Sequence, residues 1–324
     1  MVYCPMTPPI DFSIRRTTPD QWFLGTKKIC EKVQDQESKP ADALTSWEAD
    51  GEIFYIRNKT PQDVPKGTDY LGPGPISHSG DTTAVWCIGQ CFFKVNAWRG
   101  GMELEADNIR FVKLNARDVP VPDIIHEWID HDTNRSFLIT KPISGRTLEE
   151  EWPTLAPMLR EQVAGEVAKH VIELASLETD TFRTATGCGV VEPWFLDRPR
   201  ADHPSWLPRS LGPWKGEEMR GYMLRISNEE PPEIDNVFHF YHADLGPKNI
   251  IIKEDGSLSG IIGWESAAYY PSFWVATKTS LKNFHLDCDK DYPNQWGDML
   301  RSELEKNHFL QEDRTFRRWK NGML

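Results

Sequence analysis

No stretch of this 324-residue chain holds the ~18 consecutive apolar residues that a membrane-crossing helix needs. Its opening, MVYCPMTPPI, lacks the charged and apolar regions of a secretory signal. There is no basic block. The 49 acidic side chains outnumber the 37 basic ones, and a net charge of −12 argues against a general nucleic-acid binder. No internal repeat and no low-complexity tract is present. Cysteine is scarce: Cys4, Cys30, Cys87, Cys91, Cys188 and Cys288. Only Cys87 and Cys91 are close, and no Cys or His pair follows at zinc-finger spacing, so reduced or buried thiols in a cytoplasmic protein are expected. These absences leave a globular chain, 39% hydrophobic and 27% charged, with no membrane or nucleic-acid partner expected. It is longer than one core usually supports, so two lobes are expected.

Tryptophan is plentiful, with 13 residues, enough both to fill cores and to line an apolar binding wall. Residues 18–34 read as a helix, with Thr18 as cap, Pro19 at its first position, and Trp22, Ile29 and Val33 on one face. EIFYIR (52–57) reads as a strand, 61–80 as a Pro/Gly-rich loop, and 82–95 as two strands broken at Gly89-Gln90. Residues 102–116 carry a helical pattern, and SFLITKPI is another strand. The first ~140 residues therefore read as a small sheet with one or two helices. Beyond them the chain reads as mostly helical, with Leu159, Val163, Val167, Val171 and Leu174 spaced by three or four over 155–177. The Pro-, Gly- and Trp-rich stretch 186–236 has little periodicity. It is either a lid or pocket wall, or a variable surface insertion.

The densest chemical signal is FYHADLGPKNIIIKEDGSLSGIIGWESAAYYP, residues 240–271. It holds His242-x-Asp244-x4-Asn249 and then two apolar runs turning at Asp255-Gly256, a strong hairpin signal. Centring the turn there pairs residue 249 with roughly residue 262, so Asn249 lies across from position 263. Ligands at those two places can share one ion with Asp244 just upstream. That is the arrangement phosphoryl transfer uses: a carboxylate orienting a hydroxyl, an amide for Mg²⁺, and a second carboxylate bridging to the phosphates.

These residues resemble the aminoglycoside-phosphotransferase-like proteins, a branch of the protein-kinase fold, and especially their large fungal set. The resemblance covers most of the chain after about residue 80. It implies an α+β, protein-kinase-like two-lobed fold, with a small sheet-containing N-lobe over residues 1–140 and a mostly helical C-lobe over 141–324. It also implies catalytic Asp244, metal-binding Asn249, phosphate-holding Lys94 in CFFKV, and Glu105 in ELEADNIRFV pairing with that lysine. ITKPISGRTLEEEW resembles the hinge, and LGPWKGEE a segment near the substrate cleft, which makes Trp214 and Glu217 candidate substrate contacts, with Trp206 of the same Trp-rich stretch beside them. The candidate phosphate loop is SHSGDTT, with Ser79 and Gly80; there is no G-x-G-x-x-G.

One departure is serious. Where the family has I-D-W-E, this chain has Ile262-Gly263-Trp264-Glu265. Glycine offers no side-chain oxygen to the metal that bridges the phosphates. Losing that neutralisation costs several powers of ten in rate, by analogy with the factor on the order of 10³–10⁵ attributed to an arginine finger. Glu265 lies roughly 6.5 Å along the chain, whereas Mg²⁺ requires oxygens at about 2.0–2.1 Å, so it compensates only if the loop rearranges.

The leading expectation is therefore a small-molecule enzyme with a degraded metal site, needing no cofactor and recruited to fungal specialised metabolism. A cyclisation or pericyclic step in an aromatic-lined cleft is one example. The alternative is an O-phosphotransferase using ATP and Mg²⁺ on a small-molecule hydroxyl, and the third reading is a non-catalytic binding protein.

Overall fold

The computed structural model describes residues 8–35, 38–64 and 74–324. Cys4 and residues 65–73 of the expected Pro/Gly-rich loop lie outside them. By its internal contacts the chain forms two compact units. One holds the described residues up to Gly100 together with Asp123–Pro142 and His203–Pro208; the other holds Gly101–Pro122, Ile143–Asp202 and Arg209–Leu324.

The first unit is built from two five-stranded antiparallel sheets. Strands β1 (Ile14–Thr18), β2 (Gln21–Leu24), β3 (Lys28–Val33), β4 (Thr45–Ala49) and β5 (Glu52–Asn58) run in the order β1-β2-β3-β5-β4. The helix expected over 18–34 is therefore wrong: the segment folds as the strands β2 and β3, with Thr18 ending β1. Gly25 adopts a left-handed φ of 60° and closes the turn between β2 and β3, which a helix cannot accommodate. Across that turn Trp22 pairs with Cys30, and Cys30 in turn with Ile56. The periodic spacing of Trp22, Ile29 and Val33 was coincidental.

The second sheet contains β6 (Ser77–Ser79), β7 (Thr83–Ile88), β8 (Cys91–Ala97), β9 (Ile124–Asp130) and β10 (Arg135–Thr140), ordered β6-β7-β8-β10-β9. The break expected at Gly89-Gln90 is a two-residue turn with φ of 54° and 62°. Alternation decides which side chains enter the core. Phe93, Val95 and Ala97 are buried, while Lys94 and Asn96 point to the other face. Both sheets contribute to one apolar core that includes Leu24, Cys30, Phe54 and Ile56 from the first and Trp86, Phe93, Val95 and Phe137 from the second. Trp47 stacks on Phe54 at 5.6 Å and donates its Nε1–H to the Gly89 carbonyl at 2.8 Å.

The second unit carries the helices: α1 (Glu105–Asn115), α2 (Leu148–Glu151), α3 (Pro157–Ala175), α4 (Gly216–Ile226), α5 (Ser272–Thr277), α6 (Gln295–Glu305) and α7 (Asp313–Asn321). Helix α3 matches the spacing read from the sequence, and its Val163, Val167, Val171 and Leu174 are buried. Helix α4 lies inside the stretch read as aperiodic. Two small sheets complete the unit. One joins β11 (Arg146–Thr147), β14 (Ile250–Ile252) and β15 (Leu258–Ile261); the other joins β12 (Glu178–Thr179), β13 (Phe238–Tyr241) and β16 (Ala268–Pro271). Trp152, Trp264, Trp274, Trp296 and Trp319 are fully buried, so five of the tryptophans serve packing. No helix among the described residues is long and apolar enough to cross a membrane.

Candidate active site

The loop between β13 and β14 carries His242, Asp244 and Asn249. His242 is fully buried. Its Nε2 donates to the Ile262 carbonyl at 3.0 Å, and its Nδ1 accepts the Asp244 backbone N–H at 3.1 Å. Both ring nitrogens are therefore taken by backbone, and the imidazole braces the loop. Ala243, fully buried, has a φ of 61°. Such left-handed, non-glycine strain persists only where its surroundings enforce it, typically at functional loops.

The Asp244 carboxylate is clamped from two sides. Its Oδ2 accepts from Asn249 Nδ2 at 2.9 Å, and its Oδ1 accepts from Asn283 Nδ2 at 2.5 Å. Asn249 Nδ2 also donates to the Asp244 carbonyl at 2.8 Å. An ionised carboxylate has about four lone-pair sites, so capacity remains for a donor from a bound molecule. With its Nδ2 turned inward, Asn249 keeps Oδ1 as its only atom suited to a cation.

Position 263 is where the hairpin register requires it. Ile250 pairs with Ile261, and the Ile262 N–H donates to the Asn249 carbonyl at 2.9 Å. Gly263 has a φ of 82°, and a Cβ built on it would lie 3.0 Å from Cγ, Nδ2 and Oδ1 of Asn249. The following 3₁₀ turn, Trp264–Ser266, carries Glu265. Helix α1 holds that turn by a pair of side chains one helical turn apart. Glu105 Oε1 accepts the Trp264 N–H at 3.1 Å, and Asn108 Nδ2 donates to the Trp264 carbonyl at 2.8 Å. No local pattern in the sequence points to Asn108 or to Asn283, which stands 39 residues beyond Asp244.

The resemblance implies Mg²⁺, and one of the side chains it implies for that ion is missing, because position 263 supplies no side-chain oxygen. Among the described residues no group of three or more His, Cys, Asp or Glu side chains could hold a metal ion. The side-chain oxygens that remain are Asn249 Oδ1 and the Asp244 carboxylate, on two side chains that share a hydrogen bond.

The other expected site residues are placed as follows. Ser79, Gly80 and Lys94 belong to the first unit. Ser79 ends β6 and Gly80 opens its turn into β7, while Lys94 sits mid-β8 opposite Val85 and Leu138. Trp206 lies in the His203–Pro208 segment of that unit, where Ser205 Oγ donates to Asp81 Oδ2 at 2.6 Å. In the second unit, Trp214 packs on Phe182 at 6.2 Å and Tyr222 at 4.8 Å, and Glu217 is exposed on the first turn of α4. The structure thus brings together Asp244, Asn249 and Gly263 and ties Glu105 to the residue after Gly263.

The braced H-x-D-x4-N loop and the β-hairpin that follows it lie within a segment that one family profile matches. The chain belongs to the phosphotransferase enzyme family, whose profile matches residues 100–273, more than half of its length. The α+β, kinase-like fold expected from the sequence stands. Similar solved structures include an aminoglycoside-3'-phosphotransferase of type VIII, 17% identical over 76% of this chain and 91% of that one, with a TM-score of 0.46. An aminoglycoside phosphotransferase from Streptomyces rimosus is 19% identical over 76% and 89%, with a TM-score of 0.45. A ternary complex of another such enzyme with streptomycin and ATP is 16% identical over 71% and 76%, with a TM-score of 0.44. Among curated proteins, none matches the chain.

Proposed function

We infer that this family member is a small-molecule enzyme in which metal-assisted phosphoryl transfer is no longer the main reaction. The observation that carries this reading is Gly263. The position facing Asn249 has no carboxylate, and a Cβ there would stand 3.0 Å from the Asn249 amide, which would have to give way slightly. Asp244 keeps its clamped geometry and free lone pairs, so it accepts a hydrogen bond from a substrate hydroxyl or holds the proton that the hydroxyl releases. Positioning of this kind contributes to catalysis without a cofactor. The resemblance to the fungal set directs the search to intermediates of specialised metabolism, with a cyclisation or pericyclic step as one example.

The second reading, an ATP- and Mg²⁺-dependent O-phosphotransferase, is favoured by the intact Asp244–Asn249 pair. In it Lys94, Ser79 and Gly80 are the residues that the resemblance gives to the nucleotide.

Thermal melting in millimolar ATP–Mg²⁺, with ADP formation followed in parallel, separates the two. A ligand at 100 times its Kd stabilises a fold by ~2.7 kcal/mol. The leading reading expects an unmoved melt and no ADP. A raised melting temperature with ADP release on a hydroxylated acceptor overturns it. Transfer appearing only in Gly263→Asp identifies the lost carboxylate as the reason.

A further inference from the structure

The clamp on Asp244 is only half contained in the H-x-D-x4-N motif. Its other half comes from the 3₁₀ turn Lys282–Phe284, which is pinned by two buried apolar side chains, Leu281 and Phe284. Asn283 sits between them and aims its amide out of the turn, at Asp244 Oδ1. The amide orientation is forced, because an amide oxygen at 2.5 Å from a carboxylate oxygen would be repelled.

We propose that Asn283 is a positioning residue for Asp244: its Nδ2–H fixes the rotation of the carboxylate and so the direction in which the free lone pairs meet a substrate. This rests on Asp244 being the working carboxylate.

Three observations carry the assignment. First, Asn283 Oδ1 is buried and has no hydrogen-bond partner among the described residues. Burying that acceptor unpaired costs stability, while the same amide makes a short bond to a carboxylate. Second, the close approach is built into the backbone. A Cβ on Gly246, two residues after Asp244, would lie 2.1 Å from the Asn283 carbonyl oxygen, so only glycine allows the turn to sit against the loop. Third, the loop is also tied to the chain that follows the turn, at Asp287 and on helix α6. Lys248 Nζ bonds Asp287 Oδ2 at 2.6 Å, and Trp296 Nε1 donates to the Leu245 carbonyl at 2.9 Å. The loop and the turn therefore behave as one body, with Asn283 as its contact to the carboxylate.

The side-chain amide of Asn249 reports the carboxylate directly, because it bonds Oδ2. Its resonance is assigned by its disappearance in Asn249→Asp. In a folded Asn283→Ala protein that resonance is expected to shift toward the position of a free amide, as the released carboxylate turns away. An Asn249 resonance unmoved in folded Asn283→Ala overturns the proposal, because a purely structural asparagine would leave it in place. Should Asn283→Ala not fold, Asp244→Asn decides the matter. The Asn283 amide resonance must then move, and an unmoved one overturns the proposal. These readouts need neither substrate nor turnover, so a failure of the functional reading leaves them intact and is seen separately in the ATP–Mg²⁺ experiment.

Discussion

Gly263 and Asn249 face each other across the base of the hairpin so closely that a Cβ on the glycine would stand 3.0 Å from three atoms of the asparagine amide. Two effects therefore oppose a side chain at 263: the left-handed φ of 82° and the crowding. Gly263→Ala is expected to lose ~1–2 kcal/mol in urea denaturation. Gly263→Asp should lose less of the conformational part, because aspartate enters this region more readily than alanine. An alanine variant as stable as the parent would contradict the assigned backbone.

Glu192 and Lys278 form an ion pair at 2.6 Å with side-chain exposures of 0% and 4%. The same carboxylate also accepts from Trp274 Nε1 at 3.2 Å and from the Trp194 N–H at 3.2 Å, anchoring the Trp- and Pro-rich stretch to the core. Lys278→Met strands a buried charge and is expected to cost ~3–5 kcal/mol. Adding Glu192→Gln should recover a substantial part. Chemical denaturation of both single variants and the double variant completes the cycle, and strict additivity would show that the pair is not coupled.

Arg57 bridges Glu31 at 2.8 Å and Asp63 at 2.7 Å. Burial alone would raise the Glu31 carboxyl, but hydrogen bonds from Arg57, Tyr55 and Gln21 more than offset it and hold it below its usual range. The Arg57 guanidinium also holds Asp63 well below its usual range. Both folded-state values are depressed, so their stabilisation is complete above the unfolded carboxylate values of ~4 and is lost as the pH falls through the folded ones. Melting temperatures from pH 7 to pH 3 should fall less steeply for Arg57→Met than for the parent. Parallel profiles would remove this cluster as a source of acid sensitivity.

Asp130 is fully buried and accepts from the Thr26 N–H at 2.6 Å, the Thr26 hydroxyl at 2.8 Å and the Asp132 N–H at 3.1 Å. It fixes the turn that follows β2. Asp130→Asn replaces an accepting oxygen by a donor facing other donors, and a loss of ~2–3 kcal/mol is expected by calorimetry. A loss under about 0.5 kcal/mol would place the asparagine change among ordinary surface substitutions.

The sequence showed the site's motif plainly because its information is local. His242, Asp244, Asn249 and Gly263 lie within one loop and one hairpin, and turn chemistry at Asp255-Gly256 set their register. The strands around Gly89-Gln90 and helix α3 were equally legible from alternation and 3.6-residue spacing. The 18–34 segment misled because Trp22, Ile29 and Val33 mimic a helical face, while the deciding residue, Gly25, acts through its φ. Asn283 was invisible because nothing in SLKNFHL points toward Asp244; only the tertiary approach at Gly246 brings them together.

The first unit is not continuous in the chain. Besides its N-terminal part it needs Asp123–Pro142 and His203–Pro208, and the Ser205–Asp81 bond joins partners 124 positions apart. During synthesis the two sheets emerge long before their last segment, so this unit cannot complete its contacts until well over half of the chain has left the ribosome. Until then the tip of the β6–β7 hairpin lacks the Ser205 partner it holds in the finished protein. The nascent protein therefore passes through a stage in which its first unit is open at that loop while its second is still being made.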